Sequence, residues 1–183
     1  MKRKCDFRVL FVTQTKRQDA PYMDPSVRYR CYNPAEAMAD MGCLADVVTS
    51  ARLDARMMEN YDAFVFHRPS GDDDNQKMFL ERANALGKPC VADSDDLVFD
   101  PAFAFHSSAY RAGRLFDNRA LEVFECNKRG LLAFDRFTVS TGPLADRVVA
   151  VKPGAEVCVV DRKEHTSELQ SHHCISYAVF CLH

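Results

Sequence analysis

The chain has 183 residues, of which 47% are hydrophobic and 27% are charged, and its formal net charge at pH 7 is −2. This length suffices for one domain with a real core. A charge near zero argues against a nucleic-acid partner, which normally binds a basic face. No signal peptide is visible and no apolar run approaches the roughly 20 residues that span a membrane, so the sequence predicts a cytoplasmic protein without a transmembrane segment.

The eight cysteines show no CxxC pair and no other metal-ligand spacing, so no metal site is predicted. Six of them are scattered singly, at Cys5, Cys31, Cys43, Cys90, Cys126 and Cys158. In a cytoplasmic chain this pattern predicts free and mostly buried thiols.

Short apolar runs alternate with helical patterns along the chain. Such runs are typical of strands buried on both faces, as in a parallel sheet. They cover residues 8–13, 45–48, 62–66, 88–92, 136–140 and 156–160. Strict alternation of strand and helix implies right-handed crossovers, so the expected fold class is α/β with a Rossmann-like doubly wound parallel sheet.

Caps and glycines mark the predicted helices. Asn33 can cap a helix, Pro34 suits its first position and Glu36 completes a capping box, so residues 14–32 before them are expected to form a polar loop. The other helical stretches are predicted at about 53–60, 72–86, 107–133 and 143–149. Within 107–133, breaks are expected near Gly113 and near Gly130.

The loop after the first strand carries Arg28 and Arg30. Two arginines at this spacing can fork onto a phosphate or carboxylate. A GxGxxG fingerprint is absent, so any phosphate would be held by these side chains and by the helix end at Asn33. The alternative is a solvated loop that pairs its arginines with nearby acids.

The third strand delivers His67, followed by Arg68, to the edge of the sheet where ligands bind in doubly wound folds. A histidine at this position could act as a general base or hydrogen-bond a substrate. A single histidine is also commonly structural, and that alternative stays open.

The fourth strand delivers Asp93, Asp95 and Asp96. Carboxylates repel one another, so such a cluster persists where it binds a metal, an arginine or sugar hydroxyls, or where one member is a base. Neighbouring residues on an extended chain point opposite ways. One of Asp95 and Asp96 is therefore expected to face a ligand, while the other braces the loop or meets an arginine. Capping of the next turn by Ser94 or Asp93 is the alternative.

The order of these motifs resembles the N-terminal half of retaining GT-B glycosyltransferases of the large bacterial family-four group. The matching stretches, all within residues 7–160, are 8–13, 26–37, 61–69, 87–100, 137–141 and 143–145. Two of them, RYR-x-x-NPAEA and D-x-DDL-x-FD, are fairly specific. The chain lacks the glycine-rich loop of the wider family, and it has Asp95 and Asp96 where many relatives carry a histidine.

This resemblance implies transfer of a sugar from a nucleotide-sugar donor to a glycan or lipid-linked acceptor, as in polysaccharide biosynthesis. The reaction would take place between two Rossmann-like domains, of which the N-terminal one faces the acceptor and the C-terminal one holds the donor. No separate cofactor is implied, and peripheral membrane contact stays open. The implied catalytic residues are Asp95, Asp96 and His67, and the implied substrate-binding residues are Arg28, Arg30, Asn33, Arg68 and Asp93.

Residues 161–183 resemble a translated synthetic sequencing adapter rather than part of a fold. The expectation is therefore an acceptor-side domain over residues 1–160, followed by an adapter-derived tail. The C-terminal donor domain is then expected to be missing, which would leave the chain inactive alone.

Two other function classes stay open. In a metal-dependent GT-A glycosyltransferase, Asp93 and Asp95 would form a DxD motif that holds manganese and the donor phosphates. In a non-catalytic Rossmann-like binding domain, the same sheet edge would recognise a glycan or a partner without chemistry.

Overall fold

The computed structural model describes residues 7–160, so the prediction for residues 161–183 lies outside the described residues. Six strands form one all-parallel sheet in the order β2-β1-β3-β4-β5-β6. They are β1 (Arg8–Thr13), β2 (Leu44–Thr49), β3 (Ala63–His67), β4 (Cys90–Ser94), β5 (Arg136–Val139) and β6 (Glu156–Val159). The predicted α/β class and doubly wound parallel sheet are confirmed, and every strand end lies within two residues of its predicted position.

Helices connect the strands. They are α1 (Pro25–Val27), α2 (Asn33–Asp40), α3 (Met57–Asn60), α4 (Asp74–Ala85), α5 (Ser108–Arg111), α6 (Asp117–Leu132) and α7 (Gly142–Val151). Short 3-10 turns cover Pro21–Met23, Ser50–Arg52 and Pro101–His106. In residues 7–160, no helix combines the length and the apolar character needed to cross a membrane.

The helix that follows β1 begins at Pro25 and not at Asn33. Asp24 is its N-cap, and the Asp24 carboxylate accepts a hydrogen bond of 3.1 Å from the backbone N–H of Ser26. The predicted capping box at Asn33 is wrong, because the backbone on both sides of Asn33 is already helical. Asp24 followed by Pro25 carries the same start signal as Asn33 followed by Pro34, and the earlier of the two is the real one.

A π-helical turn, Arg28–Tyr32, joins α1 to α2. In this turn the N–H of Asn33 donates to the carbonyl of Arg28, five residues earlier. Pro34 has no N–H with which to close an α-helical bond to the carbonyl of Arg30, and a wider turn leaves room for its ring. Residues 25–40 therefore form one continuous helical segment.

The sheet buries a hydrophobic cluster on each face. On one face, side chains from α3, α4, α6 and α7 pack against strand residues that include Leu10, Val12, Phe64, Phe66 and Phe137. On the other face, segment 25–40 contributes Val27, Cys31, Ala35 and Met38, which pack against Val9, Phe11, Val65 and Val91. Burial of these apolar surfaces is the main term that holds the helices on the sheet.

On the face that segment 25–40 covers, a row of polar residues lies at the carboxyl edge of the sheet. The strand register pairs Thr13 with both Thr49 and His67, and it pairs Asp93 with both His67 and Thr138. Paired residues of parallel strands point to the same face, so this row lies beneath the start of segment 25–40. All five side chains are buried, and all except the Thr49 hydroxyl have a hydrogen-bond partner.

The direction of the connections reverses between β1 and β3. The chain passes from β1 to β2 on one side, and from β3 onward it proceeds to β4, β5 and β6 on the other. In doubly wound sheets the crevice at such a switch point is where ligands bind. Segment 25–40 begins over this crevice.

Four of the described cysteines are not disulfide-bonded, namely Cys31, Cys90, Cys126 and Cys158. Cys43 is disulfide-bonded, and none of these four is its partner. The prediction of free thiols is therefore wrong for Cys43. A single scattered cysteine gives no sequence signal for its pairing, because spacing alone does not determine connectivity.

Gly130 does not break its helix but lies inside α6, against the loop that follows β3. A Cβ on Gly130 would approach the carbonyl carbon of Ser70 to 2.7 Å and would also meet the backbone of Pro69. Nearby, the N–H of Gly71 donates to the carbonyl of Cys126 at 3.0 Å. Helix α6 thus packs directly on the loop that follows β3. At position 130 only glycine, which has no side chain, leaves room for that loop.

Replacing Gly130 by alanine should destabilise the protein by about 1–3 kcal/mol, because backbone atoms of Pro69 and Ser70 cannot rotate away from the new methyl group. The value is a net loss, after subtraction of the roughly 1 kcal/mol by which alanine stabilises a helix relative to glycine. Urea unfolding measures the difference. The matched control is Gly142→Ala in α7, where no heavy atom lies within 4 Å of the added Cβ. Equal stability of the two variants would contradict this account of Gly130.

Candidate functional site

A hydrogen-bond network at the switch point joins Ser26, His67 and Asp95. The Ser26 hydroxyl lies 2.6 Å from Oδ2 of Asp95 and 2.9 Å from Nε2 of His67. The His67 ring is also 3.6 Å from Oδ1 of Asp95. The three residues come from the helix after β1, the end of β3 and the residue after β4, so the fold assembles them from distant parts of the chain.

Asp95 stays ionised in this network. Burial alone would raise the pKa of Asp95, but the His67 ring, the charge of Arg68 and hydrogen bonds from Ser26 and Arg68 outweigh it. The pKa of the Asp95 carboxyl is therefore held well below its usual range. A carboxylate with so low a pKa is a poor general base, but it provides a permanent negative charge that can orient hydroxyl groups or stabilise positive charge.

The ionised state of Asp95 assigns the hydrogen-bond directions. A carboxylate can only accept, so the single proton of the Ser26 hydroxyl points to Asp95. The Ser26 oxygen then accepts from Nε2–H of His67, whose Nδ1 lies 3.0 Å from the hydroxyl of Thr13. His67 is 1% exposed, with both ring nitrogens engaged. In this arrangement His67 positions Ser26, and the catalytic role of His67 stays a prediction.

Arg68 is held in a strained conformation at the end of β3. Its φ is 51°, in the left-handed region that non-glycine residues seldom adopt. Its N–H donates to the carbonyl of Asp93 at 2.8 Å, and its guanidinium binds Asp95 at 2.8 Å and Asp96 at 2.6 Å. Burial alone would lower the pKa of Arg68, but the carboxylates of Asp95, Asp96 and Asp24 outweigh this effect. The net result is a pKa above the usual value for arginine. The backbone strain is thus offset by ion pairs.

Asp95 and Asp96 differ in exposure, although both lie in the bend after β4 and both bind Arg68. The Asp95 side chain is only 3% exposed and braces the loop, whereas the Asp96 side chain is 63% exposed. Asp96 is therefore the more accessible of the two carboxylates. Which of the two acts on a sugar stays a prediction.

Arg30 and Asp93 form a buried ion pair rather than an open binding site. The guanidinium of Arg30 binds both oxygens of Asp93, and Arg30 also donates to the carbonyl of Val160 at 3.0 Å. The hydroxyl of Thr138 donates to Asp93 at 2.6 Å. The side chains of Arg30 and Asp93 are 4% and 0% exposed, so each satisfies the other and neither is placed to reach a substrate.

Arg28 and Asn33 lie away from the network. The Arg28 guanidinium binds Glu36 with distances of 2.5 and 2.9 Å on the exposed surface of the helix. Because Arg30 points into the protein and Arg28 points out of it, the predicted shared anion site of the two arginines is not formed. Asn33 lies within the helical segment, so it supplies no helix terminus for a phosphate.

Sequence reasoning missed Ser26 and Thr13. Both are common polar residues with no motif of their own, although Ser26 opens one of the stretches that resemble glycosyltransferases. Asp24 followed by Pro25 was the available signal, because it places Ser26 in the first turn of a helix over the crevice. Thr13 ends an apolar strand, and its contact with His67 depends on the pairing of β1 with β3.

The metal-dependent alternative needs Asp93 and Asp95 on one ion. The structure turns the oxygens of Asp93 toward Arg30 and Thr138, so the two carboxylates do not share a cavity. Within residues 7–160, no group of three or more His, Cys, Asp or Glu side chains is arranged to hold a metal ion.

The chain matches no family model, and no curated protein matches its sequence. Among solved structures, an oxidised flavodoxin from Bacillus cereus is similar over 97% of each chain, with 11% identity and a TM-score of 0.36. A flavodoxin from Streptococcus pneumoniae covers 97% of this chain and 98% of its own, with 17% identity and a TM-score of 0.36. The hydroxyethylthiazole kinase of Pyrococcus horikoshii covers 83% and 55%, with 17% identity and a TM-score of 0.39. Similarity this distant carries no inference about function.

Replacing Asp93 by asparagine should destabilise the protein by about 3–5 kcal/mol, because it leaves the Arg30 charge buried without a counter-charge. The matched control is Glu36→Gln, which breaks the exposed pair with Arg28 and should cost less than about 1 kcal/mol. Chemical denaturation of both variants at pH 7 measures the two values. A small loss for Asp93→Asn would show that the pair does not hold the helix on the sheet.

Replacing Asp95 by asparagine should change how stability depends on pH. The pKa of Asp95 is lower in the folded state than the value of about 3.9 in an unfolded chain, so the folded state binds fewer protons there. The stabilisation from Asp95 is then fully present above pH 4 and declines as the pH falls below about 4. Unfolding measured from pH 7 to pH 2.5 should show a gap between the two proteins that narrows in acid. A gap that stays constant with pH would contradict the assignment.

Proposed function

We propose that residues 7–160 form the acceptor-side domain of a glycosyltransferase that uses a nucleotide-sugar donor. The proposal joins the resemblance of the sequence motifs to the geometry of the crevice. In this proposal the whole enzyme transfers a sugar to a glycan or lipid-linked acceptor. The domain described here holds the acceptor beside the reacting sugar and does not complete the reaction alone.

One observation carries the proposal. Three separate stretches that resemble the glycosyltransferase family, 26–37, 61–69 and 87–100, contribute Ser26, His67 with Arg68, and Asp95 with Asp96 to one network. Residues that are distant in sequence meet at the switch point of a doubly wound sheet, where such folds bind ligands.

The roles within the proposed site follow from exposure. Asp96 is the candidate catalytic carboxylate, because its side chain is more accessible than that of Asp95. Asp95 is a positioning residue whose fixed negative charge lies directly behind Asp96 and Arg68. In glycosyl transfer, positive charge develops on the sugar ring, and preorganised negative charge nearby lowers the barrier.

The metal-dependent reading is less well supported, because Asp93 is committed to Arg30 and Thr138. A purely binding domain would use the same crevice without chemistry. A catalytic site and a purely binding site predict different results in the whole enzyme. If Asp96 is catalytic, Asp96→Asn should lower turnover far more than it lowers acceptor affinity.

The test on this chain is an NMR titration that follows the backbone amides of Ser26, Arg68 and Asp96. Neutral oligosaccharides should shift these amides with dissociation constants of about 1 mM or weaker, because this domain supplies only the acceptor side of the proposed cleft. UDP-glucose and GDP-mannose should shift them less, because the proposal assigns their diphosphates to the other domain. UMP and GMP alone should leave them unchanged. The chain should release no nucleotide from either donor at a steady rate.

FMN is the control ligand, because doubly wound sheets can also bind a nucleotide cofactor at this edge. Shifts caused by FMN and by none of the sugars would overturn the proposal, and so would sugar-induced shifts confined to the opposite edge of the sheet. Steady nucleotide release by this chain would contradict the division of labour between two domains.

A further inference from the structure

Every arginine predicted to bind a substrate is already paired with a carboxylate. Arg30 is buried on Asp93, and Arg28 is paired with Glu36. Arg68 is the one of the three that lies at the crevice, and it binds two carboxylates at once. The three arginines that could have bound a phosphate thus form ion pairs with carboxylates of the same chain.

The helix terminus at the crevice is occupied as well. In doubly wound sheets the N-terminus of the helix after the first strand is where phosphate commonly binds, because its free N–H groups attract negative charge. Here the Asp24 carboxylate takes the N–H of Ser26 at 3.1 Å and the hydroxyl of Thr15 at 2.8 Å. Asp24 therefore stands where an anionic ligand would otherwise be attracted.

The group formed by Arg68, Asp24, Asp95 and Asp96 is negative overall. The single guanidinium of Arg68 faces three carboxylates, which leaves two negative charges within this group. The side chains of this group that remain exposed are Asp96, at 63%, and Arg68, at 31%, and the half-buried Ser26 lies beside them. A carboxylate beside a hydroxyl and N–H donors suits the vicinal hydroxyls of a sugar.

We propose that this crevice selects an uncharged sugar as its acceptor and rejects sugars that carry a carboxylate or a phosphate. The proposal rests on the glycosyltransferase function proposed above and names the class of acceptor for the same site. The diphosphate of the donor is outside this selection, because the family resemblance assigns it to the other domain. Asp96 and Asp24 are then specificity-determining residues, since they repel the anions that a free arginine would attract.

Simple electrostatics sets the size of the effect. Two net negative charges about 6 Å from a ligand anion, at the dielectric constant of water, disfavour binding roughly tenfold. The repulsion is Coulombic and acts near the surface, so it should weaken as salt shortens the screening length from about 10 Å at 0.1 M to about 3 Å at 1 M.

The experiment compares sugars that share one skeleton and differ in charge. Methyl glucoside, methyl glucuronide and glucose 6-phosphate, together with the corresponding galactose compounds, are titrated into the full chain and followed at the amides of Ser26, Arg68 and Asp96. At 20 mM salt the neutral sugar should bind roughly tenfold more tightly than its anionic partners. At 1 M salt this ratio should shrink to about twofold or less.

Two variants with the same change in net charge test which carboxylate is responsible. Asp96→Asn should reduce the ratio of neutral to anionic affinity severalfold. Asp135→Asn is the control, because Asp135 is an exposed acid paired with Lys152 at 2.7 Å just before β5, at the opposite edge of the sheet, and it should leave the ratio unchanged. Folding of both variants is checked by their thermal unfolding temperatures.

The outcomes separate this inference from the proposed function. Anionic sugars that bind as tightly as the neutral ones, or a ratio that Asp96→Asn leaves unchanged, would overturn the selectivity while leaving a sugar site intact. Failure of every sugar, charged or neutral, to shift the three amides would overturn the proposed function itself.

Discussion

The buried ion pair between Arg30 and Asp93 determines the geometry of the whole carboxyl edge. Two charges removed from water are costly unless their hydrogen bonds are completed, and here Thr138 and the carbonyl of Val160 complete them. The pair ties the helix after β1 to the middle of the sheet. Ser26 lies one turn before Arg30, and Asp95 lies two residues after Asp93, so the pair brings the network residues together.

Charge compensation is the common theme of the crevice. Arg28, Arg30 and Arg68 each meet at least one carboxylate, and the helix terminus is capped by Asp24. A doubly wound sheet with a free helix terminus would offer an anion site at this place, as phosphate-binding folds do. This protein offers hydroxyl groups and an exposed carboxylate instead. That surface is better suited to neutral sugar hydroxyls than to a diphosphate, and a glycosyltransferase that divides donor and acceptor between two domains can use it.

The strands and the edge that carries the site were predictable from local pattern. Apolar runs of four to six residues indicate strands buried on both faces, and polar residues after them indicate the carboxyl edge. The helix start was predicted wrongly, because Asp24-Pro25 and Asn33-Pro34 carry the same capping signal. Only packing of Val27 and Cys31 on the sheet selects the earlier start, by burying a longer apolar face.

The sequence by itself determined the fold class, the positions of the strands and the presence of His67, Arg68, Asp95 and Asp96 at one edge of the sheet. These features depend on local periodicity and on the fact that parallel strands end together. The tertiary structure alone decided which charges are free. Arg28 and Arg30 are two residues apart, yet one lies in water and the other in the core. Residues two apart on a helix lie on different faces, so Arg28 meets Glu36 on the surface, whereas Arg30 meets Asp93, which a distant strand places beside it.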